Sequence, residues 1–98
     1  MSLFETGPVM MTPGIRELMG MGHQAIETIQ SCLDRHIEAD WGDLCDEDKQ
    51  LNDDTLEAEK SGRLTDSLFS SYDTDLGQIY IITEYDRSVT TILLPCEY

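Results

Sequence analysis

Basic side chains are scarce in this sequence: six Lys and Arg stand against twenty Asp and Glu in 98 residues, a formal net charge of −14. Gripping a nucleic-acid backbone requires cationic surface that displaces counterions, and docking on an anionic membrane surface requires the same, so this balance argues against both. No apolar run approaches the ~20 residues of a membrane-spanning helix. The opening Met1-Ser2-Leu3-Phe4-Glu5 lacks the basic and apolar regions of a signal peptide. Cysteines are few and odd in number (Cys32, Cys45 and Cys96), which fits a reduced cytoplasm better than a disulfide framework. There is no glycine-rich phosphate loop, nucleophile elbow or HExxH pair, and no internal repeat or low-complexity linker.

What is present is 40% hydrophobic and 27% charged, the composition of a globular chain rather than a disordered one. At this length the expectation is a single domain, residues 1–98, with a thin core. Residues 7–11 read as a short extended piece. Thr12-Pro13-Gly14 then opens a helix over 13–19, with Thr12 as the cap and Pro13 at a first position where a missing N–H costs nothing. Gly20 and Gly22 break it. A second helix over 23–37 follows, with Ile26, Ile29, Leu33 and Ile37 recurring at three- and four-residue steps. After a turn at Trp41-Gly42, Asp43 or Asp46 caps a third helix whose first turn holds Asp46, Glu47 and Asp48 against the positive end of the macrodipole. Its apolar face is sparse (Leu51, Thr55 and Ala58, helped by Leu56), and Gly62 stops it.

The last third reads as β structure: strands over 63–72, 78–83 and 88–94, joined by turns at 73–77 and 84–87, with the apolar 78–83 segment in the centre. The predicted fold is α+β, with two to three N-terminal helices packed on a C-terminal antiparallel sheet of three to four strands.

Three groups of residues invite a chemical reading. Cys32, His36 and, if the helix continues, Asp40 are spaced to share one helix face as metal ligands or as the centre of a hydrolase. The competing reading places Cys32 and His36 beside the core, and with no second ligand pair in the chain it is preferred, so neither a metal nor another cofactor is expected. Asp40, Asp43, Asp46 and Asp48 do not reproduce the ligand order of an EF-hand loop. Trp41 is either a core anchor or an exposed contact residue, and a thin core favours the anchor.

The strongest signal is acidic. Asp40, Asp43, Asp46, Glu47, Asp48, Asp53, Asp54, Glu57 and Glu59 fall within twenty residues, offset there by Lys49. If mostly helical at ~1.5 Å per residue the tract carries a carboxylate every ~3.3 Å, close to the ~3.4 Å per charge of one DNA strand. Either it is a solvated face that keeps the chain soluble, or it attracts the basic groove of a nucleic-acid-binding protein. Charges this dense repel one another, which favours a functional reading. The candidate contact residues are Asp40, Asp43, Asp46, Glu47, Asp48, Asp53, Asp54 and Glu57, assisted by Glu84 and Asp86 of the second turn.

Several blocks together resemble a family of small acidic bacterial proteins carried on plasmids and integrative elements. They are Leu3-Phe4 with Gly7, Thr12-Pro13-Gly14, Arg35-His36, the run from Asp40 to Lys49 (DWGDLCDEDK), the run from Ile81 to Pro95 (IITEYDRSVTTILLP) and Glu97-Tyr98. The resemblance carries no catalytic residues. It implies a setting among accessory genes of mobile elements, where small acidic inhibitors of CRISPR and restriction complexes are common, some of them imitating DNA. The expectation is therefore a non-enzymatic inhibitor acting on such a complex. The alternative is a small adaptor or homo-oligomeric accessory protein using apolar groups such as Trp41, Phe69 or Tyr98.

Overall fold

The computed structural model describes residues 3–98. In chain order it contains β1 (Val9–Met11), α1 (Pro13–Met19), α2 (His23–Ile37), α3 (Asp46–Lys60), β2 (Leu68–Thr74), β3 (Gly77–Thr83) and β4 (Thr90–Leu93), closed by one 3₁₀ turn (Pro95–Glu97). The α+β class and the bounds of α1 and α2 are as the sequence predicts. The sheet is mixed rather than purely antiparallel. Its order is β1-β4-β3-β2, and β1 runs parallel to β4 while the other pairs are antiparallel. The extended piece near the N-terminus thus becomes a fourth strand on the free edge of β4, a pairing across some eighty residues that local periodicity does not report.

Alternation along the strands turns Ile79, Ile81, Ile92 and Tyr72 toward one face. There they pack with Ile15 of α1 and with Ile29 and Cys32 of α2 as the main core. α2 is rotated from the expected seam: Ala25, Ile29, Cys32 and His36 are buried, while Ile26 is 40% exposed. The short residues at 25 and 32 allow the helix to approach the sheet closely, and they win over the bulkier Ile26. A second cluster, Phe4, Trp41 and Leu68 with Ala39, Leu44 and Leu56 against it, joins the N-terminal segment to α3. Trp41 is therefore a core anchor.

Helix ends differ from expectation in an instructive way. Thr12 does not cap α1 with its side chain; its hydroxyl donates to Glu97 Oε1 at 2.5 Å, and the same carboxylate accepts the Gly14 amide at 3.0 Å. A residue from the far end of the chain supplies the cap. α3 has Cys45 at its N-cap position with no side-chain cap from Asp43 or Asp46, because Asp43 is used elsewhere. At its C-terminus Gly62, at φ 87°, and Arg63 return their amides to Glu59 and Ala58, the Schellman arrangement. The expected apolar face of α3 holds only in part: Thr55 is buried as expected, but Asn52 is buried with it and Leu51 is 56% exposed.

Asn52 is buried because it serves β2, the edge strand. Its Nδ2 donates to the Phe69 carbonyl at 2.7 Å and its Oδ1 accepts the Phe69 amide at 3.3 Å. The next outward-facing groups along β2 are met by the 41–43 segment: Ser71 N to Trp41 O, Asp43 N to Ser71 O at 2.7 Å, and Asp73 N to Asp43 Oδ2 at 2.7 Å. Gly42 makes this approach possible, for at φ 74° a Cβ would stand 2.1 Å from the Ser71 carbonyl oxygen. β2 starts later and runs further than the sequence suggests, to Thr74, so the β2–β3 hairpin closes through Asp75-Leu76 alone.

Arg87 holds the β3–β4 turn against α3. It is 6% exposed, adopts φ 61°, and donates from Nη1 to the carbonyls of Glu84, Tyr85 and Asp66. Nε donates to Glu59 Oε1 at 2.9 Å; Nη2 lies 2.8 Å from the same oxygen, off-line for a hydrogen bond. Removing one partner of a buried pair strands the other. Arg87→Met is therefore expected to lower unfolding free energy by about 3 kcal/mol in urea titration, and a loss under ~1 kcal/mol would show that the clamp contributes little.

Candidate functional site

The acidic residues singled out in the sequence divide into two sets. The first is engaged in building the fold. Asp40 accepts Arg35 Nε at 2.7 Å and Nη2 at 3.2 Å, and the Arg35 bond holds its carboxyl below the usual range. Arg35 in turn sits 4.8 Å over the Tyr72 ring. Asp43 seals β2, Asp53 accepts the Trp41 indole N–H at 2.9 Å, and Glu59 carries Arg87. Asp86 accepts the Ser88 amide within its turn, and the Ser88 hydroxyl and amide lower its pKa.

The second set faces solvent, as Asp40, Asp43, Asp53 and Asp86 also do; what marks it is that, among the described residues, it has no partner beyond its own helix. Asp46, Glu47 and Asp48 open α3; Asp54 accepts only Gln50 of the same helix, and Glu57 lies 3.6 Å from the exposed Lys60. Asp46, Asp54 and Glu57 recur at helical spacing on the side away from Asn52 and Thr55, over a helix of about 22 Å. The Arg87–Glu59 pair ties the 84–87 turn to the last turn of α3, so Glu84 and the exposed Asp86 extend the acidic surface beyond the helix. One helix face and one turn come together. Asp40 and Asp43 belong instead to the β2 side of the molecule.

Cys32, His36 and Asp40 do not converge. α2 ends at Ile37 with Ala39 in the left-handed region at φ 63°, and Asp40 turns back to Arg35. Among the described residues no group of three His, Cys, Asp or Glu side chains is placed to hold a metal ion. Cys32 is buried, and desolvation raises its thiol pKa; Cys45 and Cys96 are exposed and unbridged.

The sequence reading missed what His36 does. It is fully buried, with Nδ1 2.5 Å from Ser70 Oγ and Nε2 2.9 Å from Thr83 Oγ1. Thr83 Oγ1 is 2.7 Å from Thr90 Oγ1, which donates to the Thr6 carbonyl at 2.8 Å. That terminal carbonyl can only accept, which orders the protons: Thr90 donates outward, Thr83 donates to Thr90, and His36 Nε2–H donates to Thr83. Nδ1 is then the acceptor of the Ser70 hydroxyl, the neutral Nε2–H tautomer. A Ser–His contact of this length resembles a nucleophile and its base. Here Ser70 and His36 are both sealed from solvent and no carboxylate orients the ring, so the pair joins strands to helix. The edges of Phe4 and Trp41 close over the imidazole at 5.5 and 5.6 Å between centroids.

A second cluster lies on the other face of the sheet. Phe69, Tyr80 and Tyr98 meet with centroids 4.8 to 6.0 Å apart, and Tyr98 is 81% exposed. Phe69 and Tyr98, named from sequence as possible contact residues, are thus neighbours, while Trp41 is not among them.

A cleft of about 570 Å³ lies between α2 and the β2–β3 hairpin and is lined by Arg35, Thr28, Asp73 and Asp75 among others. A second, about 520 Å³, has an apolar floor of Leu3, Ala39 and Leu56 beside Asp53 and Glu57. No helix among the described residues is long and apolar enough to cross a membrane. Compared with protein-family models, curated proteins and solved structures, the chain matches none.

Burial lowers the His36 pKa from 6.5 to about 4. As pH falls below 6.5 the unfolded chain takes up a proton that the folded one refuses, so this group withdraws stability between pH 6.5 and about 4, up to about 3 kcal/mol. NMR titration should find the His36 ring neutral at pH 5. A ring that protonates near pH 6.5 would refute the sealed network.

Proposed function

We propose that this protein is a non-enzymatic inhibitor that occupies the nucleic-acid-binding surface of a basic protein, of the kind found in CRISPR and restriction complexes. The observation that carries the reading is the division of the carboxylates. Asp46, Glu47, Asp48, Asp54 and Glu57 take no part in holding the core and stand on one rigid helix, continued by Glu84 and Asp86 through the Arg87–Glu59 clamp. A fixed array of negative charge presents to a cationic groove what a phosphate backbone presents, without the entropy of ordering a flexible tail. The mobile-element setting implied by the resemblance agrees with this role. The partner is a protein; nucleic acid itself is repelled.

A second reading has its own observation. The exposed aromatic group of Phe69, Tyr80 and Tyr98 suits an adaptor contact, for aromatic side chains are enriched at interface centres.

The two readings separate by salt. The inhibitor reading expects capture from bacterial lysate of a basic nucleic-acid-binding complex that duplex DNA or RNA displaces and that elutes steeply as salt rises. Asp46→Lys, Asp54→Lys and Glu57→Lys combined should weaken that capture at least about tenfold with the circular dichroism of the fold retained. None of the three touches the core, and only Asp46 has a further role, its charge at the positive end of α3. Capture that survives both high salt and this triple reversal would overturn it. If Tyr98→Ala alone then abolished binding, the aromatic face would be the contact.

A further inference from the structure

Helices cover one face of the sheet. α1 and α2 pack on the side that bears Ile79, Ile81, Ile92 and Tyr72. Among the described residues no helix lies across the opposite face, where Tyr98, 81% exposed, leans on Phe69 and Tyr80. A sheet with one wet face alternates apolar and polar residues along its strands. Here the outward positions hold Met10, Thr91, Leu93, Tyr80, Ile82 and Phe69, side by side in register, and Thr91 is the one polar residue among them. Strands that are apolar on both sides belong to sheets covered on both sides.

α3 borders this face along β2, and its two flanks differ in charge. Asn52 points at β2 through the backbone of Phe69. Asp53, Leu56 and Lys60 turn toward Trp41 and Leu3, the side on which the inward Leu68 also lies. At about 100° per residue, Asp48, Leu51, Ala58 and Glu47 fall on the other flank, next to the outward Phe69. By the same count both lysines of the helix, Lys49 and Lys60, belong to the Trp41 flank. The outward flank therefore holds Asp48 and Glu47, with Asp54 at its crest, and no cation. Leu51, 56% exposed, carries the apolar surface from Phe69 onto the helix. Glu84 stands outward at the end of β3. Its amide donates to the Val89 carbonyl, one pair beyond Thr83 and Thr90, whose hydroxyls lie on the His36 side.

We propose that the outward face of the sheet takes a basic amphipathic helix of a partner protein, its apolar side on Phe69, Tyr80 and Ile82 and its cations against Asp48, Glu47 and Glu84. Three inter-strand steps of about 4.8 Å make the face about 14 Å wide. One helix, about 10–12 Å in diameter, fills that width and supplies the missing layer. Charge selects the partner. A second copy would set these carboxylates against their own kind, whereas an apolar strip edged by lysines or arginines complements both the centre and the rim. The proposal rests on the acidic-surface reading and deepens it: the aromatic group becomes the dry centre, and the α3 carboxylates the rim, of a single contact surface.

The test is an amide NMR titration of the whole chain with three synthetic peptides: a helical peptide with leucines on one side edged by lysines, the same peptide with glutamates for the lysines, and oligolysine. The leucine–lysine peptide is expected to bind and to move the amides of Tyr80, Ile82, Thr91 and Leu51. The glutamate peptide should not bind, and oligolysine should bind more weakly and move α3 amides without those of β3 and β4. Ile82→Lys should raise the dissociation constant of the leucine–lysine peptide at least about tenfold while oligolysine still binds α3. Tyr98→Ala, at an exposed position outside the core, should weaken the same peptide at low and high salt alike. A leucine–lysine peptide that moves α3 amides alone and ignores both substitutions would overturn this proposal and leave the acidic-surface reading standing. Equal binding of the glutamate peptide would overturn it as well. If neither cationic peptide bound at low salt, both readings would fall.

Discussion

The structure depends first on one buried hydrogen-bond chain, Ser70–His36–Thr83–Thr90–Thr6. It joins five separate parts of the protein: the N-terminal segment, α2, β2, β3 and β4. Each polar group taken out of water costs free energy unless it is paired, and here every member finds a partner only when all five parts are in register. The histidine has a donor on one ring nitrogen and an acceptor on the other, so it accepts only one order of protons. An aliphatic residue at position 36 could pack in several rotations of α2; the imidazole allows one. That one places Ala25, Ile29 and Cys32 on the sheet and turns Ile26 outward.

A second constraint is the treatment of charge and of strand edges. In a chain this acidic, carboxylates do the work that amides and hydroxyls do elsewhere. Glu97 caps α1, Asp43 covers the end of β2 beyond the Asn52 amide, Asp53 anchors the indole, and Glu59 holds the deeply buried Arg87. Acids with structural partners have their charge offset locally. Those without are spread over α1, α2 and the loops as well, but they are densest on α3, at the sheet edge that is sealed.

Much of this was legible in the sequence. Isoleucines at helical spacing located α2, the Pro13 and Gly22 signals bounded the first two helices, and the run Ile79-Tyr80-Ile81-Ile82 marked a central strand. Trp41 read correctly as an anchor because a small core has few large side chains to spare. Other features were not legible. The β1–β4 pairing, the Glu97 cap and the Asn52 bridge each join residues distant in sequence, and no local pattern records them. The metal-type spacing of Cys32, His36 and Asp40, set aside in the sequence for a place beside the core, would have needed the helix to continue past Ile37, where it ends.

By itself the sequence determined composition, net charge, element order and the density of the acidic tract, since these follow from residue identity and short-range periodicity. Tertiary structure alone decided which carboxylates are spent on the fold and which remain free, which rotation of α2 meets the sheet, and which edge is sealed. The physical reason is shared by all three. A polar group's role is set by whether a partner lies within about 3 Å of it, and such partners come from parts of the chain that meet only when it has folded.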